Sequence, residues 1–168
     1  MSLKLEFPNE KHKEKYEKLI KEWGKIENLD NISPGALFYG SNFEEFLKEV
    51  NTVKNNPPKG FTYSSLFLLT DNNEILGGID VRHDINHPNL IEKGGHIGYG
   101  IAPQYRRKGY ATKMLELGLI EAKKLGLDKI LITCNKDNIG SKKVIEKNGG
   151  IFERLTDDGK MRRYWINL

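Results

Sequence analysis

The chain contains the stretch HIGYGIAPQYRRKGYATKML, residues 96–115, in which a short strand pattern is followed by three cations and then by a helical pattern. The cations Arg106, Arg107 and Lys108 run directly into Gly109. A helix N-terminus already carries unpaired backbone N–H groups and about half a positive charge. Side-chain cations would repel that charge unless an anion lay between them, so the stretch predicts a phosphate-binding turn. The alternative is a solvated basic loop in front of an ordinary helix.

The composition is typical of a globular protein with a strongly charged surface. The 168 residues are 38% apolar and 30% charged, with a net charge of +4, and we expect one domain over residues 1–168. This positive charge is too mild to indicate a nucleic-acid partner, and the aromatic residues do not alternate with the basic clusters. We therefore expect no nucleic-acid partner. The N-terminal sequence has no apolar signal region, and no apolar run is long enough to span a membrane. We therefore expect a cytoplasmic protein with no membrane partner.

Hydrophobic periodicity along the chain predicts the element order β-α-α-β-β-β-α-β-α-β-β. The strand, helix and strand between Gly95 and Cys134 predict one right-handed parallel crossover in an otherwise mostly antiparallel sheet. Ser41 and Glu44 have the spacing of a capping box, which predicts the start of the second helix. Gly126 predicts the C-terminal end of the third helix. The expected fold class is α/β (α+β), with a mixed sheet flanked by helices.

Two motifs give this pattern a family resemblance. The pattern R-x-x-G-x-A at 106–111 follows a predicted strand and opens a predicted helix, and NIGSKKVIEKNGG follows at 138–150. With these motifs the chain resembles the GNAT superfamily of N-acetyltransferases, whose element order is also the one predicted above. The segments VRHDIN, 81–86, and GGHIGYGI, 94–101, resemble a subgroup of predicted acetyltransferases without an established substrate. The resemblance implies the GNAT-type acyl-CoA N-acyltransferase fold.

The resemblance also implies acetyl-CoA as the co-substrate. The backbone N–H groups of residues 107–112 would hold the pyrophosphate, and the pantetheine arm would pair with the backbone near Ile101. Asn138 would contact the arm from the other side, and Lys142 or Lys147 would contact the 3′-phosphate. The expected cofactor-binding residues are Ile101, Ala102, Arg106, Arg107, Lys108, Gly109, Tyr110, Ala111, Thr112, Asn138, Ser141 and Lys147.

Acetyl transfer from a thioester to an amine needs a proton acceptor, because a free alkylamine has a pKa of about 10.4, and an N–H donor for the oxyanion. Strand alternation places His96, Gly98 and Gly100 on one face, and glycines there predict the close approach of another group. The resemblance puts His96 where many family members carry a glutamate base, and an amide near Gly100 would be the oxyanion donor. The alternative for His96 is a hydrogen bond to a neighbouring strand or loop.

One position departs from the family pattern. Ile145 stands where many members carry a tyrosine that protonates the departing thiolate. Tyr99, Tyr110 and Tyr164 are candidate substitutes, or the thiolate leaves unassisted. Because of this departure, the alternative function is a non-catalytic coenzyme A-binding sensor or interaction module.

The expected acceptor is a primary amine of a small molecule, an amino acid or a peptide. Arg82 and His83 precede the loop that leads to His96, and they are the candidate residues for binding it. Asp80 shares a strand face with Arg82. The two side chains either line the acceptor pocket or form a solvated pair.

Three further features have structural alternatives. His83, His87 and His96 would form a zinc site only if their loop brought them together, and the helical H-E-x-x-H pattern is missing, so no metal is expected. Cys134 ends an apolar strand and is expected to be a packing residue, although a covalent acetyl-cysteine is chemically conceivable. The C-terminal YWINL, 164–168, either completes the sheet or pairs with a second copy in a homodimer.

Overall fold

The seven strands form one sheet in the computed structural model, which describes residues 2–168. The strands are β1 (Lys4–Glu6), β2 (Ser64–Asp71), β3 (Glu74–Arg82), β4 (Ile97–Ile101), β5 (Lys129–Asn135), β6 (Ile151–Leu155) and β7 (Met161–Asn167). Their order in the sheet is β1-β2-β3-β4-β5-β7-β6. The neighbours β4 and β5 are parallel, and the other neighbouring pairs are antiparallel.

Helices cover both faces of the sheet. They are α1 (Lys13–Gly24), α2 (Phe43–Asn55), α3 (Tyr110–Lys124) and α4 (Ile139–Lys147). One core cluster joins α1 and α2 to β2 through apolar side chains that include Trp23, Phe46 and Leu68. A second cluster joins α3 and α4 to the other face and includes Met114 and Ile145. The mixed sheet, the element order and the parallel crossover confirm the predicted fold class.

Capping chemistry begins and ends the helices, in one case a residue away from the prediction. The N-cap of α2 is Asn42, whose side chain accepts a hydrogen bond from the Glu45 N–H. The predicted pair of Ser41 and Glu44 is therefore wrong by one residue. Ser41 instead donates its N–H and its hydroxyl to the Glu45 carboxylate. At the end of α3 the prediction is confirmed, because Gly126 has a φ of 87°.

The sheet splits between its two parallel strands. The Cα register between β4 and β5 consists of the single pair Ile97 and Ile132. From there β5 continues to Asn135 against β7, whereas β4 continues to Ile101 against β3. The two strands therefore diverge, and the divergence leaves one edge of β4 open toward α3 and α4.

The loop between β3 and β4 is anchored to the hairpin of β6 and β7. Glu92, in its π-helical turn, forms an ion pair with Arg154 at 2.9 Å, and Lys93 pairs with Asp158 at 2.6 Å. Arg163, 4% exposed, donates to the carbonyl oxygens of Ile91 and Glu92. Separately, no helix within residues 2–168 has the length and apolar character that a membrane span requires.

Candidate active site

A cleft of about 1050 Å³ lies where β4 and β5 diverge. Four parts of the chain form its walls: the end of β4, the N-terminal turns of α3 and α4, and the segment that follows α1. Its lining consists of Trp23, Glu27, Asn28, Asn31, Ile32, Ser33, Tyr99, Gly100, Ile101, Tyr105, Arg106, Arg107, Gly109, Tyr110, Ala111, Thr112, Asn135, Asn138, Ile139, Gly140, Ser141, Lys143, Val144 and Lys147.

The turn in front of α3 presents backbone N–H groups to this cleft. Arg107 and Gly109 have positive φ angles of 59° and 83°, and Gly109 is the N-cap of α3. A glycine N-cap has no side chain to bond the first turn, so the N–H groups of Tyr110, Ala111 and Thr112 lack a side-chain cap. A Cβ added to Gly109 would meet no atom within 4 Å, so the turn is open on that side. This arrangement suits an anionic ligand.

The three predicted cations have different roles in the structure. The Arg106 guanidinium donates to Glu27 at 2.6 and 2.8 Å, and its Nε donates to the Ile101 carbonyl at 2.9 Å. The hydrogen bond from Arg106 lowers the pKa of the Glu27 carboxyl. Arg106 therefore connects three parts of the cleft wall. Arg107 lines the cleft, whereas Lys108 lies outside its lining.

The remaining cofactor-binding predictions fall mostly on the lining. Apart from Lys108, the one predicted residue outside it is Ala102, which is fully buried and donates its N–H to the Leu76 carbonyl. Asn138 caps α4 by accepting from the Ser141 N–H at 3.0 Å. Lys147 lines the cleft as expected, and Lys143 rather than Lys142 accompanies it. Their contacts with a cofactor stay predictions.

The amides of β4 alternate between the two sides of the strand. The bonds from the Arg82 N–H to the His96 carbonyl and from the Ala102 N–H to the Leu76 carbonyl set the phase of the ladder between β3 and β4. In an antiparallel ladder with this phase, the Gly100 amide is directed to β3. The amides of Tyr99 and Ile101 point the other way, toward the divergence. The amides that point away from β3 and lie nearest to the predicted oxyanion donor are therefore those of the two residues beside Gly100.

The glycine face of β4 is closely approached by the chain itself. A Cβ on Gly100 would collide with the backbone carbonyl of Ser33, and a Cβ on Gly98 would lie 3.2 Å from the Ser33 hydroxyl oxygen and 3.5 Å from Pro34. The predicted close approach therefore exists. Its partner is the segment after α1, which forms one wall of the cleft.

His96 is buried beside this face and bonds to the neighbouring strand. Its Nδ1 accepts a hydrogen bond from the Leu131 N–H at 2.9 Å, and the residue lies outside the cleft lining. Burial lowers the pKa of its imidazole. A neutral ring whose Nδ1 accepts carries its proton on Nε2, so neither nitrogen is free to take a proton from an amine. The general-base role of His96 stays a prediction, and this geometry matches its structural alternative.

Two hydroxyl groups meet inside the cleft. The Tyr99 hydroxyl and the Ser141 Oγ lie 2.6 Å apart. Burial raises the pKa of the Tyr99 phenol to about 12, so the group stays protonated at neutral pH. The buried Cys134 thiol lies beside Ser141, and burial raises its pKa as well. Of the three tyrosines considered as a proton donor, Tyr99 is the one paired with a second hydroxyl in the cleft, whereas Ile145 is fully buried in the core.

The two predicted acceptor-binding residues lie outside the cleft lining. Arg82 donates to the carbonyl oxygens of Gly94 and Gly95 at 3.3 and 3.1 Å, and so holds the residues in front of His96. The Nε2 of His83 lies 2.9 Å from the Ser65 hydroxyl. Their acceptor-binding role stays a prediction. Within residues 2–168, no group of three or more histidine, cysteine or acidic side chains is placed to hold a metal.

Sequence reasoning missed the wall that follows α1. Asn28, Asn31, Ile32 and Ser33 line the cleft, and Glu27 binds Arg106. No local motif marks these residues. The local sequence gives no signal for them, because they meet the end of β4 and the turn in front of α3 only in the folded chain.

Comparison with known proteins places this geometry in a family. Residues 38–151 match the family described as Acetyltransferase (GNAT) domain. Over 118 residues the chain is 35% identical to Uncharacterized N-acetyltransferase YjdG of Bacillus subtilis (strain 168), covering 68% of this chain and 64% of that relative. The chain thus spans slightly less than two thirds of the length of this relative.

Solved structures show the same fold at low identity. The acetyltransferase from Salmonella typhimurium that modifies the N-terminal serine of ribosomal protein L7/L12 superposes with a TM-score of 0.66 at 18% identity, over 99% of this chain and 95% of that chain. The microcin C7 self-immunity acetyltransferase MccE, solved with acetyl-CoA and AMP, has a TM-score of 0.66 at 17% identity, over 99% and 92% of the two chains.

Proposed function

The chain belongs to the GNAT acetyltransferase family, and on that premise we propose that it transfers an acetyl group from acetyl-CoA to a primary amine of a small molecule, an amino acid or a peptide. The observation that carries the proposal is the uncapped N-terminus of α3, which opens into the cleft at the divergence of β4 and β5. A pyrophosphate needs several converging N–H donors, and a thioester needs an open strand edge beside them. The cleft offers both within one continuous lining.

The residues present fit the anionic end of acetyl-CoA. The N–H groups of residues 110–112 would hold the pyrophosphate, with Arg107 beside them. Lys143 and Lys147 extend the positive charge along the same lining and would meet the remaining phosphate. The phosphates of a free dinucleotide would also match these positive charges. The assignment to acetyl-CoA therefore depends on the open strand edge as well.

The open edge of β4 would hold the rest of the substrate. Of the amides of Tyr99 and Ile101, one would pair with the pantetheine arm, and the other would donate to the thioester oxygen as negative charge develops there. A fixed amide at that position lowers the barrier because it needs no reorganisation during the reaction. Asn138, already fixed by its cap of α4, would contact the arm from the opposite wall.

The reaction forms one C–N bond and breaks one C–S bond. The amine nitrogen attacks the thioester carbonyl carbon, the tetrahedral intermediate collapses, and the thiolate leaves. We assign stabilisation of that thiolate to the Ser141 and Tyr99 hydroxyls, which lie 2.6 Å apart and belong to residues of the cleft lining. A phenol whose pKa is raised to about 12 stays a hydrogen-bond donor at neutral pH. The two hydroxyls would donate a hydrogen bond to the departing sulfur and pass a proton to it.

The relatives support an amine acceptor without naming it for this chain. The Salmonella typhimurium neighbour modifies an N-terminal serine of a ribosomal protein. The second candidate function is coenzyme A binding without transfer, which the buried position of Ile145 favours, because that residue supplies no hydroxyl to the cleft.

A two-stage measurement tests the proposal. The purified protein is titrated calorimetrically with acetyl-CoA and with coenzyme A, and release of free thiol is then followed across a panel of primary amines. Micromolar binding with amine-stimulated thiol release is expected. Binding without stimulated release would favour the non-catalytic module, and no binding of either compound would overturn the assignment of the cleft.

A further inference from the structure

Asp80, in the middle of β3, is a buried carboxylate with an unpaired oxygen. The residue is 4% exposed, and among residues 2–168 its Oδ1 has no hydrogen-bond partner. Burial raises the pKa of its carboxyl, while the charge of Arg82 and the Ser64 side chain act in the opposite direction. A buried carboxylate is costly unless a cation or several donors surround it. The surrounding protein therefore offsets only part of the cost of burying the Asp80 carboxylate.

The nearest cation is already engaged elsewhere. The Arg82 guanidinium donates to the carbonyl oxygens of Gly94 and Gly95, so it influences Asp80 through its charge and does not close an ion pair with it. Tyr39 lies close enough for the Asp80 charge to raise the pKa of its phenol, after the larger effect of burial. The side chains around Asp80 thus do not fully balance its negative charge, and one more cation would balance it.

The position of Asp80 in the sheet relates it to the predicted reaction centre. Asp80 lies opposite Gly98 in the ladder between β3 and β4, so both point to the same face of the sheet. Diagonal neighbours on such a face are about 7–8 Å apart, and the diagonal neighbours of Asp80 on β4 are His96 and Gly100. Gly100 lines the cleft. An amine bound to Asp80 would therefore lie between β3 and the strand edge that faces the thioester.

Asp80 has a free acceptor atom, which His96 lacks. The Nδ1 of His96 is occupied by the Leu131 N–H, whereas the Oδ1 of Asp80 is free to accept. The segment that covers Asp80 contains Tyr39 and, farther along the glycine face, Ser33 and Pro34. Ser33 lines the cleft, so this segment borders both the cleft and the surroundings of Asp80.

We propose that Asp80 is the acceptor-binding carboxylate of this enzyme: its Oδ1 binds the ammonium of a cationic primary amine and takes one proton from it. This inference rests on the proposed acetyl transfer. The ammonium gives its first proton to Asp80, and the resulting amine attacks the thioester. The second N–H proton goes to the departing thiolate through Ser141 and Tyr99, and Asp80 then returns its proton to solvent. The balance is one ammonium and one thioester in, and one amide, one thiol and one proton out.

The proposal defines an acceptor class. The acceptor carries a compact alkylammonium that is protonated at neutral pH, and a neutral hydroxyl analogue of the same shape does not replace it. An ammonium at Oδ1 supplies the missing cation and offsets part of the cost of burying the carboxylate. An alcohol supplies a hydrogen bond without the charge, so it binds more weakly.

The test measures amine binding separately from turnover. Wild type, Asp80→Asn and Asp84→Asn are titrated by calorimetry with n-butylamine, glycinamide and n-butanol, both with and without saturating coenzyme A. Asp84 is the matched control, since its carboxylate lies four residues away and is already paired with the Thr62 hydroxyl and the Asn86 N–H. We expect Asp80→Asn to bind the amines at least about tenfold more weakly than wild type, with Asp84→Asn unchanged and n-butanol weak throughout.

Separate readouts distinguish the two proposals. Asp80→Asn should bind acetyl-CoA within about threefold of wild type and should melt at the same or a higher temperature, because it removes a buried charge without changing the shape of the side chain. Equal amine binding by Asp80→Asn, or no amine binding by wild type, overturns the assignment of Asp80. Failure of wild type to bind acetyl-CoA overturns the proposed acetyl transfer, and the amine titration without coenzyme A still decides the role of Asp80.

Discussion

The Arg106 guanidinium donates two hydrogen bonds to the Glu27 carboxylate, at 2.6 and 2.8 Å, and so fastens the segment after α1 to the turn in front of α3. Glu27 also accepts from the Trp23 indole at 2.7 Å, and Arg106 donates to the Ile101 carbonyl. One arginine thus connects the segment after α1, the end of β4 and the turn in front of α3. The arginine of the R-x-x-G-x-A pattern holds the walls of the cleft together in this structure.

Glu27→Gln should loosen the phosphate turn without removing a cation from it. We expect acetyl-CoA to bind about threefold to tenfold more weakly and the free energy of unfolding to fall by about 1 kcal/mol, the upper range for an ion pair near the surface. Calorimetry and thermal melting measure the two effects. The control is Glu121→Gln, which removes the partner of Lys124 at the far end of α3. An unchanged affinity in Glu27→Gln would show that the turn keeps its shape without this pair.

Gly109→Glu should abolish acetyl-CoA binding by placing a negative charge where the anion is held. Gly126→Glu is the matched control, because Gly126 has a similar φ of 87°, has equally open space around a Cβ, and lies at the other end of α3. Both variants should lose about 1 kcal/mol of stability from the left-handed backbone. Gly109→Ala should show the same strain and bind within about tenfold of wild type. Retained binding in Gly109→Glu would remove the phosphate turn from the site.

Tyr99→Phe and Ser141→Ala should lower kcat by about tenfold to hundredfold while the affinity for acetyl-CoA stays unchanged. The two hydroxyls act as one unit, so the double variant should be little slower than the slower single variant. Steady-state kinetics with the best amine of the panel measures both effects. Tyr164→Phe serves as the comparison, since the Tyr164 hydroxyl bonds to Glu146 at 3.2 Å and not to Ser141. A larger loss of kcat in Tyr164→Phe than in Tyr99→Phe would assign the stabilisation of the thiolate to Tyr164.

His96→Asn distinguishes a structural histidine from a general base. The asparagine side-chain oxygen can reach the position of Nδ1 and accept from the Leu131 N–H, but it cannot take a proton near neutral pH. We expect kcat within about threefold of wild type and an unchanged pH profile. His96→Ala should instead lower the free energy of unfolding by about 1–3 kcal/mol, because it leaves a buried N–H unpaired. A loss of about a hundredfold or more in His96→Asn would establish the base predicted from the sequence.

Glu6 should make the protein sensitive to acid. Burial by itself raises the pKa of its carboxyl. Hydrogen bonds from Lys11 and Thr70 and the charges of the nearby lysines lower it by more, so the net pKa falls from 4.5 to about 2. Because the folded-state pKa is depressed, this stabilisation is complete above about pH 4.5 and is lost as the pH falls toward 2. Glu6→Gln should cost about 1–2 kcal/mol at pH 7 and much less near pH 2, where half of the folded carboxyls are protonated. Thermal melting across this range, with the exposed Glu10→Gln as control, measures the difference.

Local chemistry explains which parts of the fold were predictable. The end of α3 at Gly126 and the order of the helices and strands follow from residues that lie close together in the sequence, because caps and amphipathic faces involve neighbours within a turn or two. The capping box of α2 was displaced by one residue, since Asn42 competes with Ser41 for the same role. The glycine at the start of α3 was predictable because three cations, a glycine and a helical pattern are contiguous, and phosphate binding at this turn stays a prediction.

The sequence by itself determined the elements, their order, the turn in front of α3 and the family resemblance, because each depends on short-range spacing. Only the tertiary structure decided that Arg106 binds Glu27, that His96 accepts from Leu131, and that Asp80 is buried with an unpaired oxygen. These outcomes depend on which strands and loops meet across the sheet. Contacts of that kind arise from the packing of apolar faces, which brings together polar groups that no local pattern connects.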